Sequence, residues 1–141
     1  KLVLREEEIM PMLQQGQGKG HRSTKARGDA AEDAALDMLQ ARGLRLLVRN
    51  YRMPGRGAAE IDLVMQAADG TVVFVEVRQR SRSDHGGALA SITAAKQRRI
   101  VWAARHFLLR LGQEPPCRFD VVVLQSGEDP LWLKAAFDAM A

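Results

Sequence analysis

A predicted β-hairpin in the middle of the chain constrains the fold more than any other feature. The segments 60–67 and 71–80 alternate polar and apolar residues and are rich in β-branched side chains, which indicates two strands. The Asp69-Gly70 pair between them is typical of a hairpin turn. Because successive side chains of a strand point to opposite faces, the register of this hairpin decides which polar groups meet.

Two registers are compatible with the turn. A two-residue Asp69-Gly70 turn pairs Asp62 with Val77, and Glu76 then points to the other face. A three-residue loop with Gly70 left-handed pairs Asp62 with Glu76 instead. We predict the second register, because only it separates an apolar face from a charged one. It also pairs Glu60 with Arg78 on the charged face. The pairs on the apolar face are Ile61–Val77, Leu63–Val75 and Met65–Val73.

The predicted pairing of Asp62 with Glu76 brings two carboxylates together on adjacent strands. Such groups repel, and the pairing costs stability unless a cation lies between them. Hard divalent cations such as Mg²⁺ bind to oxygen ligands of this kind. The pair is therefore a candidate metal site. The alternative is that both carboxylates face solvent and pair with Arg78 or another basic residue.

The rest of the chain completes an α/β pattern. Apolar residues at helical spacing run from Gly28 to Gly43, and a second helix of this kind ends at Gly112. Further strands are predicted at 44–52, 117–125 and 131–134. A last helical turn or two follows, so the predicted order is α-β-β-β-α-β, then a short β and α.

Length and composition indicate one domain. A chain of 141 residues with 46% hydrophobic residues is large enough to bury a core. The glycine-rich, basic stretch 16–27 indicates a flexible arm, so we divide the chain into an arm, 1–27, and a domain, 28–141. The single cysteine and the absence of a signal peptide or membrane span predict a cytoplasmic location. We expect Cys117 to be a buried, inert thiol, and Trp102 and Trp132 to pack in the core or at its edge.

The charge balance favours a polyanionic partner. The net charge is +4 and the pI is about 9.7. Aromatic residues make up 5% of the chain, too few for a platform that stacks the bases of a single strand. We therefore expect nucleic acid, DNA in particular, to be bound through its backbone. The residues expected to contact it are Lys25, Arg27, Arg78, Arg80, Lys96 and Arg99.

Asp62, followed after the hairpin by Glu76-Val77-Arg78, resembles the PD-(D/E)XK nuclease signature. The fuller run resembles the YraN-like family of poorly characterised bacterial proteins within that superfamily. The matching segments are Gly28…Glu32…Ala35…Leu39, Asn50-Tyr51-Arg52, 60–63, 74–78, Ile92…Lys96…Arg99 and 118–121. The resemblance implies a restriction-endonuclease-like core, in which helices flank a mixed central sheet. It also implies that Glu32, Asp62 and Glu76 converge on one Mg²⁺ or Mn²⁺ ion.

Three residues bear on how far this resemblance extends to chemistry. Glu32 lies at the edge of the first helix's buried stripe, where it either leans over the sheet or faces solvent. Arg78 stands where the signature usually carries lysine; arginine binds phosphate but cannot accept a proton. Lys96, at the start of the second helix, either compensates for this change or acts as a surface or phosphate-binding lysine.

These observations predict a metal-dependent DNA endonuclease, with branched DNA among the candidate substrates. Its expected catalytic residues are Glu32, Asp62, Glu76, Arg78 and Lys96, the first three as metal ligands. Two alternatives remain open. One is a nucleic-acid-binding module with little or no catalytic activity, and the other is a protein-interaction domain with a vestigial site. The sequence does not determine the oligomeric state.

Overall fold

Two long helices and five strands make up most of the part of the chain that the structure, a computed structural model, describes: residues 4–5, 7–9, which are helical, 22–55, 59–80 and 88–139. Side chains are described within these ranges except at 22–27 and 88–89. The helices are α1 (Arg22–Ala41) and α2 (Ala94–Leu111), with a short 3-10 helix, Ala88–Ser91, before α2. The strands are β1 (Arg45–Arg52), β2 (Glu60–Gln66), β3 (Val72–Arg80), β4 (Cys117–Gln125) and β5 (Leu131–Phe137).

The strands form one mixed sheet in the order β1-β2-β3-β4-β5. Neighbouring strands are antiparallel except β3 and β4, which run parallel. A parallel pair needs a crossover connection, and α2 lies in the one between β3 and β4. This α/β arrangement of a mixed sheet flanked by helices agrees with the predicted restriction-endonuclease-like core. In the described ranges no helix is long and apolar enough to cross a membrane.

The two helices cover opposite faces of the sheet. Leu39 of α1 packs with Val73 and Val75 of β3. Phe107 of α2 packs with the intervening Phe74, with 5.9 Å between the ring centroids. Because alternate residues of one strand meet different helices, each face of the sheet has its own core. These two cores hold α1 and α2 on the sheet. They therefore also position the polar side chains of both helices that lie near the sheet edge.

The predicted hairpin register is confirmed where β2 and β3 pair. The pairs are Leu63–Val75, Val64–Phe74, Met65–Val73 and Gln66–Val72. Gly70 has a φ of 95° and donates its N–H to the Ala67 carbonyl, and the Ala67 N–H bonds to the Thr71 carbonyl. The Asp69 carboxylate accepts the Thr71 N–H at 2.9 Å. The left-handed glycine therefore creates the three-residue loop that sets the register.

The predicted N-terminal arm, 1–27, is corrected in part. Helix α1 begins at Arg22, so 22–27 are helical rather than part of a linker, whereas 10–21 lie outside the described residues. Leu4 and Ile9 are buried and belong to the core on the α2 side. The physical reason is the burial of apolar surface, because Leu4 and Ile9 pack in the core.

The predicted C-terminal helix is also corrected. β5 continues to Phe137 instead of ending at Lys134. Phe137 stacks on Phe119 of β4 with ring centroids 5.0 Å apart, and this contact favours strand over the helical propensity of the alanines. Two packing predictions are wrong as well. Cys117 is exposed because it is the first residue of β4, and Trp102 is exposed because it lies opposite the buried stripe of α2.

Candidate functional site

Strands β1 and β2 change faces between the pairs Arg49–Leu63 and Tyr51–Ile61, beyond a bulge between Leu46 and Val48. Asn50, in β1 at this point, has a φ of 55°, a left-handed conformation that asparagine adopts more readily than most residues. Leu63 belongs to the core under α1, but Ile61 belongs to the core under α2. The prediction that Ile61 and Leu63 share an apolar face is therefore wrong.

Asp62 lies at this break, where the ladder between β2 and β3 also ends. The last ladder pair is Leu63–Val75, so the predicted strand pairs Asp62–Glu76, Ile61–Val77 and Glu60–Arg78 do not form. The Asp62 carboxylate instead accepts the Val77 backbone N–H at 2.7 Å. A side chain thus replaces the main-chain acceptor that a continued strand would supply. Asp62 is thereby held in the gap between the strands.

Three carboxylates converge where β2 begins. Glu32, Glu60 and Asp62 each offer an oxygen, and these oxygens lie within 4.8 Å of one another. Glu32 reaches the cluster from α1 across the face of the sheet, and its side chain is 12% exposed. Of the two positions that the sequence left open for Glu32, the side chain has the one over the sheet. Glu60 was not among the predicted ligands, although its place two residues before Asp62 was a usable signal.

Burial and neighbouring charge perturb the acids of this cluster. Desolvation, followed by the negative charge of Glu76, raises the pKa of Asp62 to about 8, although the Val77 N–H opposes the rise. Desolvation also raises the pKa of Glu32, against the opposing effect of Arg49. The cluster therefore carries more negative charge than its protein surroundings stabilise. Added positive charge would be bound favourably at this place.

Glu76 lies beside Asp62 and is paired with cations. Its side chain is 6% exposed, and its Oε1 is 3.2 Å from Lys96 Nζ and 3.3 Å from Arg78 Nε. The Arg78 contact lacks hydrogen-bond geometry, so Arg78 Nε is a buried nitrogen without a hydrogen-bond partner among the described residues. Thr93 caps α2 by accepting the Lys96 N–H at 3.1 Å, which fixes the first turn that presents Lys96.

Arg49 holds Glu32 in place from β1. Its Nε donates to Glu32 Oε1 at 3.2 Å, and its other nitrogens donate to the Asp33 carboxylate and to the Asp29 carbonyl, the latter at 3.0 Å. This fork of donors ties one turn of α1 to the sheet. Arg52 pairs with Glu60 at 3.0 Å in a similar way. The acids of the cluster are thus positioned by arginines from the neighbouring strand.

The structure places the other predicted residues less closely. The side chains of Lys25 and Arg27 lie outside the described set. Arg80 lies at the end of β3, where it is half-buried and has an interaction partner. Arg99 is exposed on α2. The structure therefore brings together Glu32, Asp62, Glu76, Arg78 and Lys96, adds Glu60, and leaves the predicted backbone contacts dispersed.

The donor set fits a hard divalent cation. All of the converging groups are carboxylates, and oxygen-only sets of this kind suit Mg²⁺ or Mn²⁺ better than zinc, which is usually bound through histidine and cysteine. A bound divalent ion would oppose both causes of the raised Asp62 pKa, the desolvation of its charge and the repulsion by Glu76. Lys96 and Arg78 contact Glu76, and their positive charges are suited to binding phosphate.

Comparison with known sequences connects the chain to one group of bacterial proteins. The sequence model of an uncharacterised protein family, UPF0102, matches residues 31–124, a range that contains every member of the cluster. A UPF0102 protein of Albidiferax ferrireducens is 64% identical over 117 residues, which cover 83% of this chain and 91% of the relative. One from Polaromonas naphthalenivorans is 62% identical over 125 residues, covering 83% and 82%.

Proposed function

This chain belongs to the uncharacterised protein family UPF0102, and we propose that it is a metal-dependent nucleic-acid endonuclease. One observation carries the proposal. Carboxylates from α1 and β2 meet at a break in the sheet, beside Glu76 of β3, which is in contact with a lysine and an arginine. Acids that bind a divalent ion next to cations that bind phosphate are the two components that phosphodiester hydrolysis needs.

The residues that would hold Mg²⁺ or Mn²⁺ are Glu32, Glu60 and Asp62, with Glu76 adjoining them. A bound ion of this kind supplies Lewis-acid activation of a phosphate and of water. The protein's own part is to fix the acids before the ion arrives. Arg49 orients Glu32, and the Val77 N–H orients Asp62. Preorganisation of this kind is the main contribution that a protein scaffold makes to electrostatic catalysis.

The cations beside Glu76 have different capacities. Lys96 carries a compact ammonium on a flexible chain, so it can leave Glu76 for the phosphate on which negative charge develops. Arg78 keeps its charge and can bind a phosphate with two donors, but it cannot take up a proton. We therefore assign charge stabilisation to both residues and the positioning of water to Lys96, which replaces the lysine usual at position 78.

One observation favours a second candidate function. Arg78 stands at the position of the motif lysine and lies against Glu76, so the site resembles a structural ion pair. A nucleic-acid-binding module with little catalytic activity would have this appearance. Binding without cleavage would identify it. Absence of nucleic-acid binding at low salt would instead favour the protein-interaction domain.

A cleavage panel tests the proposal. Linear, nicked and four-way-junction DNA are incubated with the protein in Mg²⁺, in Mn²⁺ and in EDTA. We expect metal-dependent nicking that Glu60→Gln and Glu76→Gln abolish, while Asp37→Asn, an exposed carboxylate on α1, leaves it unchanged. Nicking that persists in EDTA, or that equals the Glu76→Gln background, would overturn the nuclease assignment.

A further inference from the structure

The free positive charge of the described residues is concentrated on α2. The arginines of the strands are engaged: Arg49, Arg52, Arg78 and Arg118 each lie in an ion pair, and Arg45 donates to Leu4 and Gln66. Helix α2 has five basic residues, Lys96, Arg98, Arg99, Arg105 and Arg110, and no acidic one. In the ranges that the structure describes, Arg98, Arg99 and Arg105 form no ion pair.

Large apolar side chains are exposed on the same helix. The Trp102 residue is 59% exposed and Leu109 is 80% exposed. Arg98, Trp102, Arg105 and Leu109 recur at intervals of four, three and four residues, which places them along one side of a helix. We call these four residues the outer face of α2. An indole exposed between two unpaired guanidiniums is unusual on a surface that contacts only water.

We propose that the outer face of α2 binds a single-stranded segment of nucleic acid, with an unpaired base stacked on Trp102 and phosphates on Arg98 and Arg105. The indole supplies a flat, sequence-tolerant surface for a base, and the unpaired guanidiniums supply the countercharge for the backbone. The lack of aromatic residues in the composition argued against a platform with several bases. A single exposed tryptophan is sufficient for one base.

One end of the outer face lies near Lys96, the residue of α2 that contacts Glu76. Lys96 lies two residues before Arg98, the first residue of the outer face. Trp102 is six residues further along the helix, about 9 Å at a rise of about 1.5 Å per residue, and about 120° around the helix from Lys96. A strand that contacts Lys96 can therefore reach Trp102 by following the surface of α2 around the helix. In this respect the inference rests on the proposed function, and it specifies the substrate: nucleic acid with unpaired nucleotides beside the position of cleavage.

A second copy of the chain fits the outer face less well. A two-fold interface brings a surface into contact with itself, so Arg98 and Arg105 of both copies would enter one small contact. The helix offers no acid that would offset them. Charge complementarity therefore points to a polyanion, and the indole points to one with exposed aromatic bases.

Binding in EDTA tests this inference without any cleavage. The probes are a labelled 20-nucleotide oligo(dT) and a blunt duplex of the same length, with affinity measured by fluorescence anisotropy. We expect Trp102→Ala to weaken oligo(dT) binding about tenfold, equivalent to about 1.4 kcal/mol, and Trp102→Phe to restore most of it. Duplex affinity should change by less than about twofold, because a paired base is not available for stacking.

Further variants separate charge from stacking. Arg98→Gln and Arg105→Gln should each lower the salt dependence of oligo(dT) binding by about 0.7 log units per log unit of salt. Arg42→Gln, an exposed arginine after α1, and Leu131→Ala, an exposed apolar residue on β5, are the matched controls and should bind as the starting protein does. Circular dichroism checks that each variant folds.

The outcomes distinguish this inference from the proposed nuclease. Equal binding of oligo(dT) by Trp102→Ala and the starting protein would overturn it, as would binding to duplex alone or no binding at low salt. In a Glu76→Gln background, which should not cleave, Trp102→Ala should still weaken oligo(dT) binding about tenfold. Trp102-dependent binding by a protein that cuts nothing would refute the nuclease and support the binding face.

Discussion

Replacement of Asp62 by asparagine should stabilise the metal-free protein at alkaline pH. The pKa of Asp62 is raised from 3.8 to about 8, chiefly by desolvation and by the charge of Glu76. Because the folded state favours the protonated acid, Asp62 costs no stability below the unfolded pKa. The cost grows as pH rises between the two values and is complete above about pH 8. Asparagine carries no charge, and its carbonyl can still accept the Val77 N–H.

The size of the effect follows from the two pKa values. At about 1.36 kcal/mol per pKa unit, their difference corresponds to roughly 6 kcal/mol, an upper bound because neighbouring acids share the titration. We expect Asp62→Asn to raise the free energy of unfolding at pH 9 by about 2 kcal/mol or more, and by much less at pH 5. The measurement is urea denaturation in EDTA at both pH values, with Asp37→Asn as a control for net charge.

Metal binding provides the second half of the same experiment. Mn²⁺ should stabilise the starting protein, because an ion that binds only the folded state raises the free energy of unfolding. It should stabilise Asp62→Asn much less. If Asp62→Asn is less stable than the starting protein at pH 9 in EDTA, the electrostatic reasoning is wrong. If Mn²⁺ stabilises both proteins equally, Asp62 is not a ligand.

Three further substitutions test single features of the structure. Arg78→Lys should keep DNA affinity within a few-fold and raise metal-dependent nicking, since a compact ammonium suits the positioning of water; a nicking rate no higher than before would contradict this. Gly70→Ala should cost about 1–2 kcal/mol in urea denaturation, because alanine is strained at a φ of 95°; an unchanged midpoint would refute the assigned loop. Asp120→Ala should cost about 3–5 kcal/mol, because the buried carboxylate accepts from Trp132 Nε1 and from the Ala135 and Arg118 nitrogens. A loss below about 1 kcal/mol would show that those donors find other partners.

The local features of the fold were predictable from the sequence. Gly70 readily adopts the left-handed conformation of the turn, and the alternation in β2 and β3 favours one register. The turn and the burial of apolar residues therefore together determine the pairing of Leu63 with Val75. Gly112 ends α2 in the left-handed conformation for the same local reason. The resemblance carried by Glu32, Asp62 and Glu76 anticipated the family, since these residue types stand at a characteristic order and spacing.

Tertiary contacts determined the features that the sequence did not reveal. Glu60 joins the cluster because β1 and β2 change faces at Asn50, and residue spacing alone does not show where a strand breaks. Lys96 reaches Glu76 because α2 docks on the sheet above the adjacent strand. Phe137 is in a strand because it stacks on Phe119, a contact between separate strands. Trp102 is exposed because the helix buries its opposite side. Spacing within a segment determines which residues share a side of it, whereas docking against the rest of the chain determines which side is buried.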